Sequence, residues 1–286
     1  MTTQISKPAV AAGVVAPETR LRPPEWAALT DRGRHRENNE DSWGAFALGA
    51  SAGPLTGGLA AWPAKGMLFV LSDGMGGARA GEEASRFCVE RLAGELLARV
   101  AMTDANAAMR EAILATHEAL TTLGRTNPDW RGMGATLSAL WLLPAGDFVL
   151  GHIGDSRIYR HEAGEWIRMT EDHTLGDGLV RRGQITAEAV VRFKFRSLLE
   201  QVMGGDGRPL DPQIIRGDCR PDDAFALCSD GFYRPLERGL GARLTAAVQA
   251  PGLATGVGGL IDAANAAGGP DNITIVLVRP AGRGEK

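Results

Sequence analysis

The stretch MLFVLSDGMGG occupies residues 67–77 and joins a short apolar run to an acidic, glycine-rich turn. Met67–Ser72 is bounded by Gly66 and by Asp73-Gly74, and this length and these flanks favour a buried strand. The glycines that follow Asp73 allow the backbone to approach a ligand closely. An Asp-Gly pair is also a common hairpin signal, so this stretch alone leaves an ordinary turn open.

Two further aspartates occupy similar positions beside apolar runs. Ala224–Cys228 leads into Asp230, and Asp271 comes just before the run Asn272–Val278. In antiparallel neighbours the end of one strand adjoins the start of the next. We therefore expect Asp73, Asp230 and Asp271 to converge at one sheet edge.

The acidic pair Glu40-Asp41 precedes a strand that begins near Ser42, so we expect both carboxylates at the same edge. Carboxylates gathered in one place raise one another's pKa values, and divalent cations would neutralise them. Oxygen ligands favour Mg²⁺ or Mn²⁺ over zinc. Two such ions about 3.5–4 Å apart can activate a bridging water and stabilise an in-line displacement at phosphorus. The pattern predicts a divalent-metal site and chemistry on phosphate.

Three other polar residues are candidates for this site. Arg36 stands five residues before Asp41, and its planar guanidinium can bind two phosphate oxygens at once. A solvated basic loop is the alternative, because Arg34 lies in the same stretch. Asp155 either ligates a metal or builds a tight turn. His173 is either a proton carrier or a histidine in a polar turn.

Composition excludes several classes of protein. The chain has 286 residues, a formal net charge of -3 and a pI near 6.0, which does not suit a nucleic-acid-binding face. Its 3 cysteines form no Cys-x-x-Cys pair, so a zinc ribbon or a disulfide framework is not expected, and a reducing cytoplasm is the natural compartment. No stretch reaches the roughly 20 apolar residues of a membrane-spanning helix. Ala9–Ala16 is interpreted as part of a tail, with a signal peptide as the alternative.

The order of elements predicts the fold class. Residues 1–24 are expected to form a flexible arm and residues 25–281 one domain, in which 174–218 make a lid-like insertion. Apolar residues recur every four positions in Glu82–Val100 and Asp104–Leu123, which indicates two helices, and Asp104 is the predicted cap of the second. Gly49–Lys65 is predicted to be a connection, and Ala242–Ala267 one or two helices. Strands are predicted at Glu25–Thr30, Ser42–Leu48, Met67–Ser72, Ala135–Leu143, Phe148–Ile153, Ser156–Arg160, Trp166–Met169, Ala224–Cys228 and Ile273–Val278.

This order is not a regular βαβ alternation. It predicts an α+β fold, a β-sandwich of two antiparallel sheets flanked by helices on both outer faces.

The chain also resembles the metal-dependent PPM, or type 2C, protein serine/threonine phosphatases in their bacterial form. The resemblance extends from about Leu29 to Arg279 and includes a β-sandwich fold of the kind just predicted. No single motif is specific, whereas the whole set in this order is. The motifs are Thr30-Asp31-Arg32-Gly33, Arg36–Ser42, Asp73–Gly77, Gly134-Ala135-Thr136, Gly154–Arg157, Ser229–Gly231 and Gly269–Thr274.

The resemblance implies a role for each site residue. Asp73 is expected to bridge two Mn²⁺ or Mg²⁺ ions, Asp155 to serve a third ion, and Arg36 to bind the substrate phosphate. The nucleophile is then a water activated by the ions, and no phospho-enzyme forms. The implied metal ligands are Glu40, Asp41, Asp73, Gly74 through its carbonyl, Asp155, Asp230 and Asp271, and the implied catalytic residues are Arg36, Asp41, Asp73 and Asp230.

The chain departs from the family at two places. Some members carry a histidine directly after the Asp-Gly pair as a suggested general acid, where this chain has Met75. Members often have a Thr-Arg-Ala-Leu-Gly run in the lid, where this chain has Gln201 in place of the arginine. The leaving-group proton must therefore come from water or another residue, and the resemblance does not extend to lid-controlled substrate choice.

These observations predict a cytoplasmic, monomeric Mn²⁺/Mg²⁺-dependent phosphatase. Its substrates would be phosphoserine and phosphothreonine in proteins, and its partners a Ser/Thr kinase and the targets of that kinase, with no nucleic acid and no membrane insertion. One alternative is a phosphatase of the same fold for an anti-sigma-factor antagonist or a small phospho-compound. Another is a catalytically silent module that binds phosphoproteins. The intact carboxylate set argues against the silent module.

Overall fold

The computed structural model describes residues 23–49, 52–57, 61–76, 80–220 and 222–280. The predicted arm therefore lies almost wholly outside the described residues. The strands are β1 (Glu25–Asp31), β2 (Asp41–Leu48), β3 (Ala52–Pro54), β4 (Met67–Met75), β5 (Gly134–Ala135), β6 (Leu137–Leu142), β7 (Asp147–Ile153), β8 (Arg157–Glu162), β9 (Glu165–Arg168), β10 (Met203–Gly204), β11 (Gln213–Asp218), β12 (Ala224–Cys228) and β13 (Ile273–Arg279). The helices are α1 (Ala80–Leu97), α2 (Ala105–Thr126), α3 (Leu175–Arg181), α4 (Ala187–Val190), α5 (Asp230–Leu236), α6 (Leu240–Val248) and α7 (Leu253–Ala266).

The strands form two antiparallel sheets. One sheet has the order β1-β13-β12-β8-β9, and the other has β10-β5-β4-β6-β7-β11 with β2 and β3 joined to β4. Apolar side chains from the inner faces pack between the sheets, where the rings of Phe148 and Phe225 meet edge to face at 5.0 Å between centroids. This arrangement confirms the predicted α+β sandwich.

Helices cover both outer faces, as predicted. Buried residues of α1 and α2 pack on β4 and β6, because their apolar residues recur with the helical period and form one stripe. Asp104 caps α2 by accepting a hydrogen bond from the Asn106 amide at 2.9 Å. Helices α5, α6 and α7 pack on β12 and β13. The predicted helical segment 242–267 is in fact two helices, α6 and α7.

The predicted lid-like insertion, 174–218, is too long. Its last residues form β11, which pairs with β7 from Gln213 opposite His152 to Asp218 opposite Asp147. This strand is only half-buried, and its mixture of polar and apolar residues gives no clear strand pattern in the sequence. The segment 49–65, predicted as a plain connection, likewise contains the short strand β3, which pairs with β2.

Helix α5 was not predicted. It begins at Asp230, directly after Ser229, and spans 7 residues with Pro235 inside it. Its 7 residues are too few to show a helical period, and Pro235, which lacks a backbone donor, argues against a helix in the sequence. Its position matters because it follows the end of β12 at the site described next.

Candidate metal centre and phosphate site

A cavity of about 890 Å³ opens where the ends of the two sheets meet. Asp41 begins β2 and lies directly opposite Asp73 of β4 in the antiparallel register. Asp230 follows β12, and Asp271 precedes β13. Both sheets therefore contribute carboxylates, whereas the sequence predicted a single sheet edge. The cavity is lined by the following predicted site residues: Arg36, Glu40, Asp73, Gly74, Asp155, Asp230 and Asp271.

Asp41 lies buried behind the cavity wall. Its Oδ2 accepts a hydrogen bond from the Thr274 hydroxyl at 2.6 Å, while its Oδ1 is buried with no hydrogen-bond partner in the described part of the chain. Burial raises the pKa of Asp41 to about 7, and the nearby Asp230 and Asp271 add to this rise. A buried carboxylate oxygen without a donor fits a cation ligand.

Asp73 is held through its backbone. Its amide donates to the Thr136 hydroxyl at 2.9 Å, and its carbonyl accepts from the Thr136 amide at 2.8 Å. Thr136 in turn bonds the Ser156 hydroxyl at 2.8 Å, which ties this end of β4 to the turn before β8. Burial first, and then repulsion from Asp41 and Asp230, raises the pKa of Asp73 well above its ordinary value. A carboxylate in such surroundings needs positive charge beside it.

Glu40 and Gly74 lie in direct backbone contact. The Gly74 amide donates to the Glu40 carbonyl at 3.0 Å. A Cβ atom on Gly74 would overlap the Gly81 carbonyl and approach the Glu40 carbonyl to 2.7 Å, so only glycine fits. The Glu40 carboxylate lies against Gly81 at the start of α1, and burial raises its pKa.

Asn272 joins the two chain segments that border the cavity. Its Oδ1 accepts from the Glu40 amide at 2.9 Å, and its Nδ2 donates to the carbonyls of Arg32 at 3.0 Å and Asn38 at 2.8 Å. These bonds attach the loop that contains Arg36 to the residue just before β13. Asn272 belongs to the motif Gly269–Thr274. Its hydrogen-bond partners Arg32 and Asn38 are too distant in sequence for the motif to indicate this role.

Arg36 reaches the cavity from this loop. Its Nη2 lies 2.7 Å from Oδ2 of Asp271, and the two side chains keep 50% and 32% of their surfaces exposed. The guanidinium is therefore beside the carboxylates and still open to a ligand. Arg34, by contrast, bonds the Gly269 carbonyl through its amide at 2.8 Å and does not line the cavity.

Asp155 is paired with an arginine that the sequence did not suggest. Nη2 of Arg234 lies 2.8 Å from Oδ2 of Asp155, and Nη1 lies 3.1 Å from Oδ2 of Asp230. Burial, with repulsion from Asp230, raises the pKa of Asp155 to about 7 although Arg234 opposes this shift. Arg234 stands four residues after Asp230, so only the knowledge that α5 is helical would have placed the two on one face.

The residues at which the chain departs from the family have clear positions. Met75 lines the cavity, whereas Gln201 accepts a hydrogen bond from the Asp211 amide at 2.7 Å. His173 lies outside the lining, where its Nδ1 accepts from the Gly154 amide at 3.2 Å, and burial lowers its pKa. Among the described residues that line the cavity there is no histidine.

The donor set fits hard divalent cations. Within the described ranges, no three Asp, Glu, His or Cys side chains are close enough together to hold an ion as they stand, so the carboxylates line a cavity instead of closing around one point. They nevertheless raise one another's pKa values, and one buried oxygen of Asp41 has no donor. Charged oxygens are the ligands that Mg²⁺ and Mn²⁺ prefer. The groups that would hold such ions are Asp41, Asp73, Asp230 and Asp271.

Solved structures of bacterial phosphatases share this fold. The crystal structure of the Mycobacterium tuberculosis serine/threonine phosphatase PstP/Ppp matches with a TM-score of 0.73 and 34% identity, covering 90% of this chain and 99% of that one. The PstP catalytic domain in complex with two manganese ions matches with a TM-score of 0.71 and 33% identity over 90% and 98% of the two chains. The Streptococcus agalactiae serine/threonine phosphatase matches with a TM-score of 0.75 and 30% identity over 90% and 99%.

Sequence relatives agree with these structures. The chain is 35% identical to the serine/threonine protein phosphatase PstP of M. tuberculosis over 88% of its length, and it spans 44% of the length of that relative. It is 30% identical to the protein phosphatase PhpP of Streptococcus pneumoniae, over 89% of this chain and 96% of PhpP. The family model for protein phosphatase 2C matches residues 58–253. The chain therefore belongs to the protein phosphatase 2C family.

Proposed function

We propose that this chain is a Mn²⁺- or Mg²⁺-dependent phosphatase that removes phosphate from phosphoserine and phosphothreonine in proteins. The observation that carries the proposal is the cavity in which carboxylates from both sheets lie beside the half-exposed guanidinium of Arg36. Cations and an arginine together provide the positive charge that binding of a phosphate monoester requires. The names of the relatives, serine/threonine phosphatases of several bacteria, support the same reaction.

Each side chain has a task in this proposal. Asp73 and Asp230 would hold two divalent ions, which would activate a water for attack on phosphorus and stabilise the charge of the displacement. Arg36 binds the phosphate oxygens, and the bonds from Asn272 hold its loop in place. Position 75 offers no proton donor, so the leaving serine or threonine oxygen takes its proton from water or from another residue.

The segment after α4 favours a polypeptide substrate. Ser197, Leu198 and Leu199 line the cavity, and Leu198 keeps 59% of its surface exposed. Nearby Phe195 is 55% exposed, although apolar side chains of this size are usually buried. The same segment carries Arg192, Lys194 and Arg196, which form no ion pair in the described part of the chain. An exposed basic and apolar rim suits a phosphorylated protein better than a small phosphate ester.

The cellular setting belongs to the proposal as well. We propose a monomer that acts in the cytoplasm against a Ser/Thr kinase of the same cell. None of the helices in the described residues has the length and apolar character needed to span a membrane.

One assay separates this function from its rivals. The metal-stripped chain is offered a phosphothreonine peptide or a small aryl phosphate, with EDTA or with Mn²⁺, and Asp73→Asn is the matched variant. Peptide hydrolysis that needs both Mn²⁺ and Asp73 supports the proposal. Hydrolysis of the small ester alone points to a small phospho-compound as the substrate. Peptide binding without turnover points to a silent binding module, and full turnover in EDTA contradicts the metal mechanism.

A further inference from the structure

Arg234 lies between two carboxylates at one side of the cavity. Its Nη2 and Nη1 are 2.8 Å from Asp155 and 3.1 Å from Asp230, so one guanidinium contacts both side chains. The Asp155 side chain is only 8% exposed and that of Asp230 16%. A buried carboxylate pair sharing one guanidinium has its repulsion relieved by a cation that belongs to the chain itself.

The position of Arg234 is fixed by the helix that carries it. Asp230 begins α5, and Arg234 lies one helical turn later on the same face. The neighbouring Tyr233 donates its hydroxyl to the Asp155 carbonyl at 3.0 Å. Helix α5 therefore holds Asp155 at two points, the carbonyl through Tyr233 and the carboxylate through Arg234.

A second layer supports this contact. The guanidinium of Arg157 lies over the Tyr233 ring, 3.8 Å from its centroid. The same guanidinium binds Asp172 with both ends of its fork, at 3.0 Å from Nε and 2.7 Å from Nη2. This packing keeps Tyr233 in place beside the Asp155–Arg234 contact.

We propose that Arg234 takes the place of a third metal ion. The family resemblance implies a third divalent cation at Asp155, whereas in the structure its carboxylate is bound by the chain's own guanidinium. This inference rests on the proposed dinuclear site: the chain binds two divalent ions, and Arg234 supplies the remaining positive charge. Asp155 is then a positioning residue that acts through Arg234, and not a metal ligand.

The balance of charge supports this assignment. Arg234 already places one positive charge between Asp155 and Asp230, and its side chain remains 47% exposed. A further divalent ion beside Asp155 would lie next to the Arg234 guanidinium, and the two positive charges would repel each other.

The test is the number of ions bound. The metal-stripped full chain is dialysed against rising Mn²⁺ up to the millimolar range, and bound Mn²⁺ is counted by atomic absorption and by the loss of the free-ion EPR signal. We expect two ions in the wild type, two in Arg234→Lys and three in Arg234→Ala, where the cation between Asp155 and Asp230 is lost. Asp155→Asn should leave two ions in the wild-type background and should reduce Arg234→Ala from three to two.

Each outcome decides between the claims. Three ions in the wild type, falling to two in Asp155→Asn, would overturn the role of Arg234 while leaving the phosphatase proposal intact. Two ions in both the wild type and a folded Arg234→Ala would also overturn it. Fewer than two ions in the wild type would contradict the dinuclear site itself. If Arg234→Ala does not fold, Arg234→Gln takes its place in the same count, with three ions expected and two ions overturning the role of Arg234.

Discussion

Asp41 and Asp73 are directly opposite each other in the antiparallel pairing of β2 and β4. Like charges at such a position destabilise a sheet, and desolvation of the buried Asp41 and the half-buried Asp73 raises the pKa values of both. The pairing of the two strands therefore brings together charges that the chain does not neutralise locally. The stability of this end of the sheet should depend on bound cations.

The first prediction is a dependence of the melting temperature on metal. A ligand at one hundred times its Kd stabilises a protein by about 2.7 kcal/mol, which for a domain of this size corresponds to roughly 5–10 °C. We expect a rise of that order between a thermal melt in EDTA and one in millimolar MnCl₂. In Asp73→Asn the rise should be largely lost. Equal midpoints for the wild type in both buffers would count against a cation site between these strands.

The second prediction concerns turnover. Asp73→Asn and Asp230→Asn should each lower kcat by several orders of magnitude with the fold intact, because each removes a charged ligand from the ions that activate the water. Asp262→Asn, at an exposed position on α7, is the matched control and should keep wild-type kinetics. The assay is phosphothreonine-peptide hydrolysis at saturating Mn²⁺, with circular dichroism to check folding. Near-normal kcat in either site variant would remove that residue from the metal centre.

The third prediction separates Arg36 from Arg34. A hydrogen bond to a charged group is worth about 1.5–3 kcal/mol, so Arg36→Ala should raise KM for phosphopeptides roughly 10- to 100-fold and change kcat less. Arg36→Lys should restore binding only in part, since an ammonium lacks the planar fork. Arg34→Ala should have little effect, because Arg34 does not line the cavity. Equal damage from both alanine variants would indicate a diffuse basic patch.

The fourth prediction concerns Gly231. A Cβ atom there would overlap the Asn272 carbonyl and lie 2.9 Å from Cβ of Asp271, so Gly231→Ala must push the start of β13 away from α5. Overpacking of this kind costs about 1–3 kcal/mol, and the displaced Asp271 should also weaken Mn²⁺ binding. Gly258→Ala in α7, whose added Cβ would meet no atom within 4 Å, should instead leave Mn²⁺ binding unchanged and stabilise the helix slightly. Urea unfolding and Mn²⁺ titration of both variants provide the comparison.

The fifth prediction is a pH dependence set by His152. Its buried ring accepts a hydrogen bond at Nδ1 from Ser138 at 2.9 Å and donates from Nε2 to the carbonyls of Gly154 and Glu171. Burial lowers the pKa of His152 to about 3, so below pH 6.5 the unfolded chain takes up a proton that the folded chain refuses. The stability due to the neutral ring is complete above pH 6.5 and falls between pH 6.5 and 3, by up to about 1.4 kcal/mol per pH unit.

Urea unfolding at pH 7 and pH 5 measures this contribution. The wild type should lose stability relative to His152→Gln on going to pH 5, so the difference between the two proteins changes with pH. His35→Gln, at an exposed position, is the control and should follow the wild type. If the difference in unfolding free energy between the wild type and His152→Gln does not vary with pH, the ring takes up a proton as readily in the folded chain as in the unfolded one, and the prediction is wrong.

The sequence predicted those site residues whose position follows from their immediate neighbours in the chain. Asp73 directly follows a buried run, and Asp271 directly precedes one, so strand ends alone placed both at the rim of a sheet. Asn272 acquires its role from carbonyls more than 230 positions away, which no local pattern reports. Arg234 depends on α5, whose short length and internal proline hide the helical period that would have linked it to Asp230.

The same limit applied to the fold. The long apolar stripes of α1 and α2 and the fully buried runs of β4 and β12 are strong signals, and the structure contains all four elements. Strand β11 is half-buried at a sheet edge and mixes polar and apolar residues. Its sequence therefore shows no strand pattern, and the predicted lid-like insertion included it. A hydrophobic period appears in the sequence only when one face of an element is buried. An element that is only partly buried therefore shows a weak period.

The first and last described strands, β1 and β13, pair along their whole length, from Glu25 opposite Arg279 to Asp31 opposite Ile273. The hydroxyl that bonds Asp41 and the carboxylate that meets Arg36 both come from the β13 end of that pairing. During synthesis on the ribosome, a chain that has not yet emerged past Thr274 lacks both groups. Contacts of such sequence separation also form slowly, because a long loop must close first. We therefore expect the proposed metal centre to be complete only after the whole domain has been synthesised.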